Sequence, residues 1–420
     1  MIFLNNERIG KLLDEFNTFG YTENGMRRIT YTKEEKLAKE FFKKKSEELG
    51  MDVRFDSVGN VIARREGIDH SLPAIAVGSH IDTVYNGGKY DGLIGVIAGL
   101  EIIEMLEEEG IQTVHPIEVI AFTCEESSRF NFSTLGSKAM TGVLKQSDIS
   151  QLKDRDNISL QEALKRQNLE LENIHLAKRE EKEIKAFFEL HIEQGNKLIE
   201  NNKTVGIVDG IAAPLRVSLT IEGKSAHSGT TSMEKRQDAL LAAAELALEV
   251  EKAAVVERKQ STVATVGVMN VLPGAINIVP GLVNLKIDIR STDVNSRNRV
   301  WKKVSDKVEQ LEKHRNVKVV IEWKSEEVPV MMDKTIVHSL SELCENMNIE
   351  YMTMSSGAGH DSMNMAKNWP TGLIFIPSLD GLSHHPEEFT KLEDISTGIK
   401  LLKEVVLSYA MQCSKKEKKL

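Results

Sequence analysis

Four short apolar runs spread along the chain each stop at an acid or an imidazole, and this recurrence constrains the fold more than any other feature. Ala74-Ile-Ala-Val-Gly-Ser79 runs into His80 and Asp82, and Ile117-Glu-Val-Ile-Ala-Phe-Thr-Cys124 into Glu125 and Glu126. Ala186-Phe-Phe-Glu-Leu190 runs into His191, and Thr371-Gly-Leu-Ile-Phe-Ile-Pro377 leads to Gly381-Leu-Ser-His-His385. Short runs with little polar alternation read as strands buried on both faces. Helical stretches precede and separate them: Thr32–Lys45, with a capping threonine and early acids, comes before the first, and the small-residue stretch Gly92–Leu106 lies between the first and second. The expected architecture is therefore α/β, a mostly parallel sheet with helices on both faces. In such sheets ligands gather outside the carboxyl ends of the strands, where His80, Glu125, Glu126 and His191 fall.

Between the third and fourth runs the pattern changes. Leu215–Ile221 alternates polar with apolar, as a half-exposed antiparallel strand does. A helix over 239–252, strands at 262–268 and 283–290, a helix over 296–314 and a strand at 317–322 complete an α+β two-layer sandwich inserted into the first domain. The boundaries read as 1–212 with 330–420 for the first domain and 213–329 for the insertion. Val53–Asp56 and Asn60–Arg65 read as strands about Gly59, residues 145–185 as charged and helical without chemistry, and 391–411 as a closing helix.

Composition excludes several functions. A net charge of −9, from 54 basic and 63 acidic residues, argues against a nucleic-acid platform. The basic cluster Lys415-Lys-Glu-Lys-Lys419 reads as a solvated end. The apolar runs are too short to span a membrane, and the N-terminus has no basic region followed by a long apolar one, so neither a membrane segment nor a secretory signal is expected. Cys124, Cys344 and Cys413 are odd in number and far apart, which fits a reducing cytoplasm.

Collected together, the strand ends and the glycine-flanked Asp91 supply five donors: His80, Asp91, Glu126, His191 and either His384 or His385. That number suits two metal ions about 3.5 Å apart that share one carboxylate. Glu125, beside Glu126, would point elsewhere and be free for proton transfer.

His80-Ile-Asp82, Gly88-Lys-Tyr-Asp-Gly92, Thr123-Cys-Glu-Glu126, Glu189-Leu-His-Ile-Glu-Gln-Gly195 and Gly381-Leu-Ser-His384 resemble the motifs of the N-carbamoyl-L-amino-acid hydrolase and allantoate amidohydrolase family. These are dinuclear metal hydrolases related to aminoacylase and carboxypeptidase-type peptidases. The resemblance spans nearly the whole chain. It implies two divalent ions per subunit (zinc, manganese, cobalt or nickel), one on His80 and His191, the other on Glu126 and His384, with Asp91 bridging. His384 is preferred to His385 because the family ligand directly follows Gly-x-Ser. Asp82 would orient His80, with capping of a turn as its alternative. Glu125 matches the general base that moves a proton from water to the leaving nitrogen.

In the insertion, the resemblance makes His227, within Gly223–Thr231, the oxyanion-stabilising histidine, usually lent by a partner subunit. It makes Asn277 and Arg290 the clamp on the substrate carboxylate, a task that suits the planar guanidinium fork. Gln194, Gly359 and His360 match further substrate-pocket positions. The insertion would then serve as a lid and dimerise the protein. Two stretches depart from the family pattern. Cys124 stands where relatives often carry Asp and is read as inert packing rather than a nucleophile. Ile211-Ala-Ala-Pro-Leu-Arg216 lacks the apolar character common in carbamoylases, which leaves the substrate side chain open.

The expected activity is hydrolysis of a carbamoyl C–N bond in a small anionic ureido or amide substrate, an N-carbamoyl-L-amino acid or a related ureido acid, releasing ammonia and carbon dioxide. Allantoate or β-ureidopropionate hydrolysis are alternatives within the family. A dipeptidase or aminoacylase is the alternative in the related peptidase branch, and His191 weighs against it. A metal-binding scaffold without catalysis is disfavoured by the intact Glu125.

Overall fold

The computed structural model describes residues 5–412. The extreme N-terminal residues 1–4, the basic tail at 415–419 and Cys413 lie outside them. The chain divides into two compact units, at Asp209/Gly210 and Met331/Met332, with Ser355–Ala358 grouped in the second.

In the first unit the four apolar runs form Ala74–His80, Ile117–Phe122, Ile184–Ile192 and Thr371–Ile376. They pair side by side in the order 117–122, 74–80, 184–192, 371–376, every pairing parallel, so all four carboxyl ends lie at one edge. Antiparallel strands flank this core: Val61–Arg65 and then Asp52–Phe55 beyond Ile117–Phe122, and Val205–Ile211 beside Thr371–Ile376. The mixed α/β architecture with a mostly parallel sheet is the one expected.

Alternate residues of each central strand enter different cores, which is why the runs lack polar alternation. Ile75, Val77, Val119, Ala121 and Phe188 join a cluster with the helices Leu93–Glu108 and Leu392–Ala410. Ala76, Ile120, Phe122 and Phe187 pack with Met140, Met365 and Trp369 on the other face.

Two local readings change. Residues 145–185 hold only short pieces, Gln146–Ile149, Leu160–Lys165 and the 3-10 turns Leu171–Ala177 and Glu181–Glu183. Asn157 and Asn168, with φ of 62° and 61°, turn the chain between them. The strand Val205–Ile211 and the helix Lys334–Asn346 are unassigned in the sequence reading. Two glycines and an aspartate inside Val205-Gly-Ile-Val-Asp-Gly-Ile211 mask the strand signal.

The second unit is a four-stranded antiparallel sheet in the order Val263–Leu272, Leu282–Ser291, Ala213–Glu222, Lys318–Glu326. Its helices are Ala239–Val256 and Val294–Arg315. Asp238 and Asp293 cap them, each accepting two backbone N–H groups of the first turn. Leu215, Val217, Leu219, Val283, Leu285 and Ile287 face these helices and close a core with Ala243, Leu246, Val300 and Val304. Alternation along the strands puts Arg216, Ser218, Lys286, Asp288 and Arg290 on the opposite face.

Candidate metal centre

Parallel pairing brings His80, Glu126 and His191 to one edge of the sheet, and two loops deliver Asp91 and His384 to them. The ligand atoms of His80, Asp91 and His191 lie within 4.8 Å of one another, as do those of Asp91, Glu126 and His384. Asp91 belongs to both groups. His191 Nε2 is 3.1 Å from Asp91 Oδ1, and His384 Nε2 is 3.1 Å from Asp91 Oδ2 and 3.2 Å from Glu126 Oε1. His80 Nε2 stands 3.8 Å from Asp91 Oδ1.

Both strand-end imidazoles are oriented by main chain. His80 Nδ1 is 2.9 Å from the Asp82 carbonyl and His191 Nδ1 is 2.9 Å from the Ile192 carbonyl. A ring N–H spent on a carbonyl leaves Nε2 as the donor atom facing the cluster, the usual arrangement for a metal-ligating histidine. Neutral imidazole nitrogens and anionic oxygens, split into two groups around a shared carboxylate, fit borderline divalent ions of the zinc, manganese, cobalt and nickel type better than oxygen-seeking calcium. His385 is exposed and in neither group; its Nδ1 accepts the Glu387 N–H at 3.2 Å.

Asp82 stands beside His80, its Oδ1 3.9 Å from His80 Nδ1, beyond hydrogen-bond reach. Its carbonyl holds His80, while its carboxylate accepts the N–H groups of Glu125 (3.2 Å) and Glu126 (3.1 Å). Cys124 makes this possible by turning the chain at a φ of 51° two residues past the end of the strand. The Asp82 side chain therefore caps that turn, and burial, with Glu35 and Glu126 nearby, pushes its carboxyl well above the usual range.

Glu125 is in neither ligand group. Its Oε2 lies 3.7 Å from His80 Nε2. Burial first, then Glu126 and Asp361, raises its carboxyl well above the usual range. Asp91 goes the other way: burial opposes its charge, but hydrogen bonding to His191 and His384 holds it well below the usual range. The same contacts raise His191 to about 9, against its burial, and His384, with Glu126 also contributing, to about 11. Buried Cys124, with Sγ 3.7 Å from the Phe132 carbonyl, has its thiol pushed far up by burial, as inert packing requires.

Gln194 and His360 also fall at this centre. Gln194 Nε2 donates to both Asp91 oxygens, at 3.2 and 3.1 Å, and to Ser383 Oγ at 3.2 Å. His360 packs its ring edge-on against His191, with centroids 4.5 Å apart. Gly359 is exposed beside it. Glu189, His191 and His360 make a third possible donor group. Glu189 is committed elsewhere, however, accepting from Ser79 Oγ (2.7 Å) and from Ser362 Oγ (2.6 Å) and N (3.0 Å).

Several supporting residues escape a sequence reading. Glu388 accepts the N–H groups of Tyr90 and Asp91, at 2.9 and 3.0 Å, and so fixes the Asp91 loop from nearly 300 residues away. Arg28, wholly buried, donates to the Ile81 carbonyl at 2.6 Å and steadies the loop between His80 and Asp82. Gly92 has a φ of 67°, and a Cβ there would fall 2.3 Å from His80 Nε2. The Glu388 signal was four residues beyond His384 in the chain, but nothing in that spacing names its partners.

The remaining expected residues lie in the second unit. The bridge Ala226–His227 pairs with Ile278–Val279, and Ser228 N donates to the Asn277 carbonyl at 3.0 Å, so His227 and Asn277 are neighbours. His227 is exposed, its Nδ1 accepting from Gly229 N at 3.1 Å. Arg290 donates from Nε and Nη2 to Asp288, both at 3.1 Å, and from Nη1 to the Gly357 carbonyl at 2.9 Å.

A family model described as peptidase family M20/M25/M40 matches residues 76–408. An N-carbamoyl-L-amino acid amidohydrolase of Geobacillus stearothermophilus is 38% identical over 97% of this chain and 99% of its own. An allantoate amidohydrolase of Escherichia coli K12 is 35% identical over 97% of this chain and 98% of its own. The crystal structure of a hydantoinase/carbamoylase-family amidase from Burkholderia multivorans superposes with a TM-score of 0.91 at 32% identity, over 98% of this chain and all of that one.

Proposed function

The chain belongs to the peptidase M20/M25/M40 family as an amidohydrolase acting on non-peptide C–N bonds, and from that premise we propose that it cleaves the carbamoyl C–N bond of an N-carbamoyl-L-amino acid or a related ureido acid. The observation that carries this reading is the pair of donor groups sharing Asp91, with Glu125 beside them and in neither. His80 and His191 would hold one divalent ion, Glu126 and His384 the other, and the pair would supply Lewis acidity toward the carbamoyl oxygen and toward water. Glu125 takes the proton of the attacking water and delivers it to the leaving nitrogen. Gln194 and Ser383 hold the Asp91 carboxylate in place through their hydrogen bonds. His227 stabilises the developing oxyanion, and Asn277 and Arg290 bind the substrate carboxylate.

The test is ammonia release from a panel of N-carbamoyl-L-amino acids, N-carbamoyl-β-alanine and allantoate, with manganese, cobalt, nickel or zinc, and a dipeptide panel alongside. Turnover of one or more ureido acids, abolished by chelation and restored by metal, is expected. Turnover of dipeptides alone would overturn the assignment.

A homodimer through the second unit completes this reading. Leu241, Leu248 and Val255 recur every seventh residue along one face of the helix Ala239–Val256 and are exposed, Leu248 at 66%. The strand Val263–Leu272 is one of the two edge strands of its sheet. Exposed apolar residues beside an unpaired strand edge suit pairing with a second copy. If His227 acts in the partner's site, mixing inactive Glu125→Ala and His227→Ala subunits should recover up to about a quarter of wild-type activity, the share of sites with both residues intact in random hybrids. Mixed dimers without activity would remove His227 from a role in trans. Among the described residues no helix is long and apolar enough to cross a membrane. Buried Cys124 and Cys344 are free thiols, and a reducing cytoplasm is the compartment we propose.

A further inference from the structure

The helix Lys33–Glu48 buries a stripe of Glu35, Ala38, Lys39, Phe42 and Ser46 against the strands Asp52–Phe55 and Val61–Arg65. Residues three and four apart share one helix face, and apolar side chains at 35 and 39 would pack there at no polar cost. The chain instead places a carboxylate and an ammonium there, their side chains 2% and 6% exposed and 2.6 Å apart. Both reach the hydroxyl of wholly buried Thr123, which accepts from Lys39 Nζ at 2.8 Å and donates to Glu35 Oε1 at 3.1 Å. Thr123 N donates to Asn60 Oδ1 at 2.9 Å, and the Thr123 carbonyl accepts from Gly136 N at 3.0 Å. Asn60 is itself fixed by Asp56, whose Oδ2 accepts from Asn60 Nδ2 at 2.7 Å. Every hydrogen-bonding group of Thr123 is therefore engaged.

Thr123 links the strand Ile117–Phe122 to Cys124, whose left-handed conformation aims Glu125 and Glu126. A non-glycine residue in that region is strained and keeps its shape only where its surroundings fix it. Asp82 fixes the far side of the turn through the amides of Glu125 and Glu126, and Thr123 fixes the near side. We propose that Lys39 and Glu35 are positioning residues for Glu125, acting through the Thr123 hydroxyl to hold the turn from which the general base meets water. The inference rests on the amidohydrolase reading and on Glu125 as its proton carrier. A buried ion pair is rarely worth more to stability than an apolar pair of similar volume, so packing alone does not account for charges on this stripe. Hydrogen bonds to charged partners are shorter and stronger than neutral ones, which suits a hydroxyl that must not shift. Glu126 shares a donor group with Asp91 and His384, and an ion there would hold it. Glu125 is in no donor group and depends on the turn alone.

The experiment measures kcat, KM, metal content and melting temperature of the metal-loaded full-length protein on the ureido acid it turns over fastest. Thr123→Val removes the hydroxyl and keeps the shape, whereas Thr123→Ser keeps the hydroxyl. The valine variant should lose about tenfold or more in kcat, since a displacement of about 1 Å at a reacting group can cost about 10²-fold. Its KM and metal content should stay at wild-type values, and the serine variant should hold kcat within about threefold of wild type. Lys39→Met/Glu35→Gln removes both charges together and leaves an acceptor for the Tyr31 N–H, which Glu35 Oε2 accepts at 2.7 Å. That pair should melt within about 4 °C of wild type, or above it, yet lose kcat as the valine variant does. A purely structural role does not separate the two. A kcat loss below about tenfold in the valine variant, an equal loss in the serine variant, or a loss carried by KM or metal content would overturn the positioning role and leave the amidohydrolase reading standing. Wild-type kcat in the folded charge-free pair would do the same, and if that pair does not fold the threonine variants decide alone. Absence of ammonia release from every ureido acid by the wild type would instead remove the amidohydrolase reading, and the positioning role with it.

Discussion

Replacing Glu125 by glutamine should lower kcat on any ureido acid the protein turns over by roughly 10²–10⁴-fold while leaving metal content at the wild-type level. That range corresponds to about 3–5 kcal/mol of lost transition-state stabilisation. The expectation follows from position. Glu125 and Glu126 are consecutive, and the Asp82 carboxylate fixes both of their backbone N–H groups, so their side chains leave the turn in different directions. Glu126 meets His384 and Asp91, and Glu125 stops 3.7 Å from His80 Nε2 without joining either donor group. Glutamine keeps the size and the backbone contacts but cannot accept and return a proton. Loss of turnover with metal retained would mark a proton carrier. Loss of metal in the same variant, or activity within tenfold of wild type, would sink that role.

This division of labour between neighbours was partly legible in the sequence. Apolar runs ending in His80, Glu125-Glu126 and His191 imply a common edge because parallel strands align their carboxyl ends, and alignment needs no knowledge of side-chain direction. What the carboxylates do once there depends on backbone turns that a linear pattern does not reveal. Cys124, Gln194 and His384 all adopt left-handed conformations, with φ of 51°, 58° and 57°, and none is a glycine that would have signalled the turn. Those turns decide that the Asp82 carboxylate hydrogen-bonds amide groups while standing 3.9 Å from His80 Nδ1, and that Gln194 reaches Asp91. Glu388 was illegible for another reason: its partners are the amides of Tyr90 and Asp91, and main-chain partners leave no trace in residue type. In the second unit, alternation located the sheet face bearing Arg290, but the gathering of Arg216, Lys286 and Arg290 about Asp288 emerges only with the register.

Asp91→Ala should have the opposite signature to Glu125→Gln, losing metal as well as turnover. Asp91 is the one residue common to both donor groups, so its removal takes a ligand from each ion at once. Outer-shell changes alone typically cost 10–100-fold in metal affinity, and loss of a shared inner ligand should exceed that. The consequence extends to stability. An ion that binds only the folded chain stabilises it by about 2.7 kcal/mol when present at 100 times its Kd, so wild type should melt measurably higher with metal than with chelator. Glu125→Gln should keep that difference, and Asp91→Ala should lose most of it. In the chelated protein the alanine variant also removes the hydrogen-bonding partner of two raised imidazoles, His191 and His384, so it should melt no higher than chelated wild type. Gln194→Ala separates the carboxylate from its support: Asp91 keeps its charge but loses the amide that donates to both its oxygens, and an intermediate melting difference is expected. An Asp91→Ala protein that retains two equivalents of metal and the full melting difference would show that the two donor groups do not depend on a shared carboxylate.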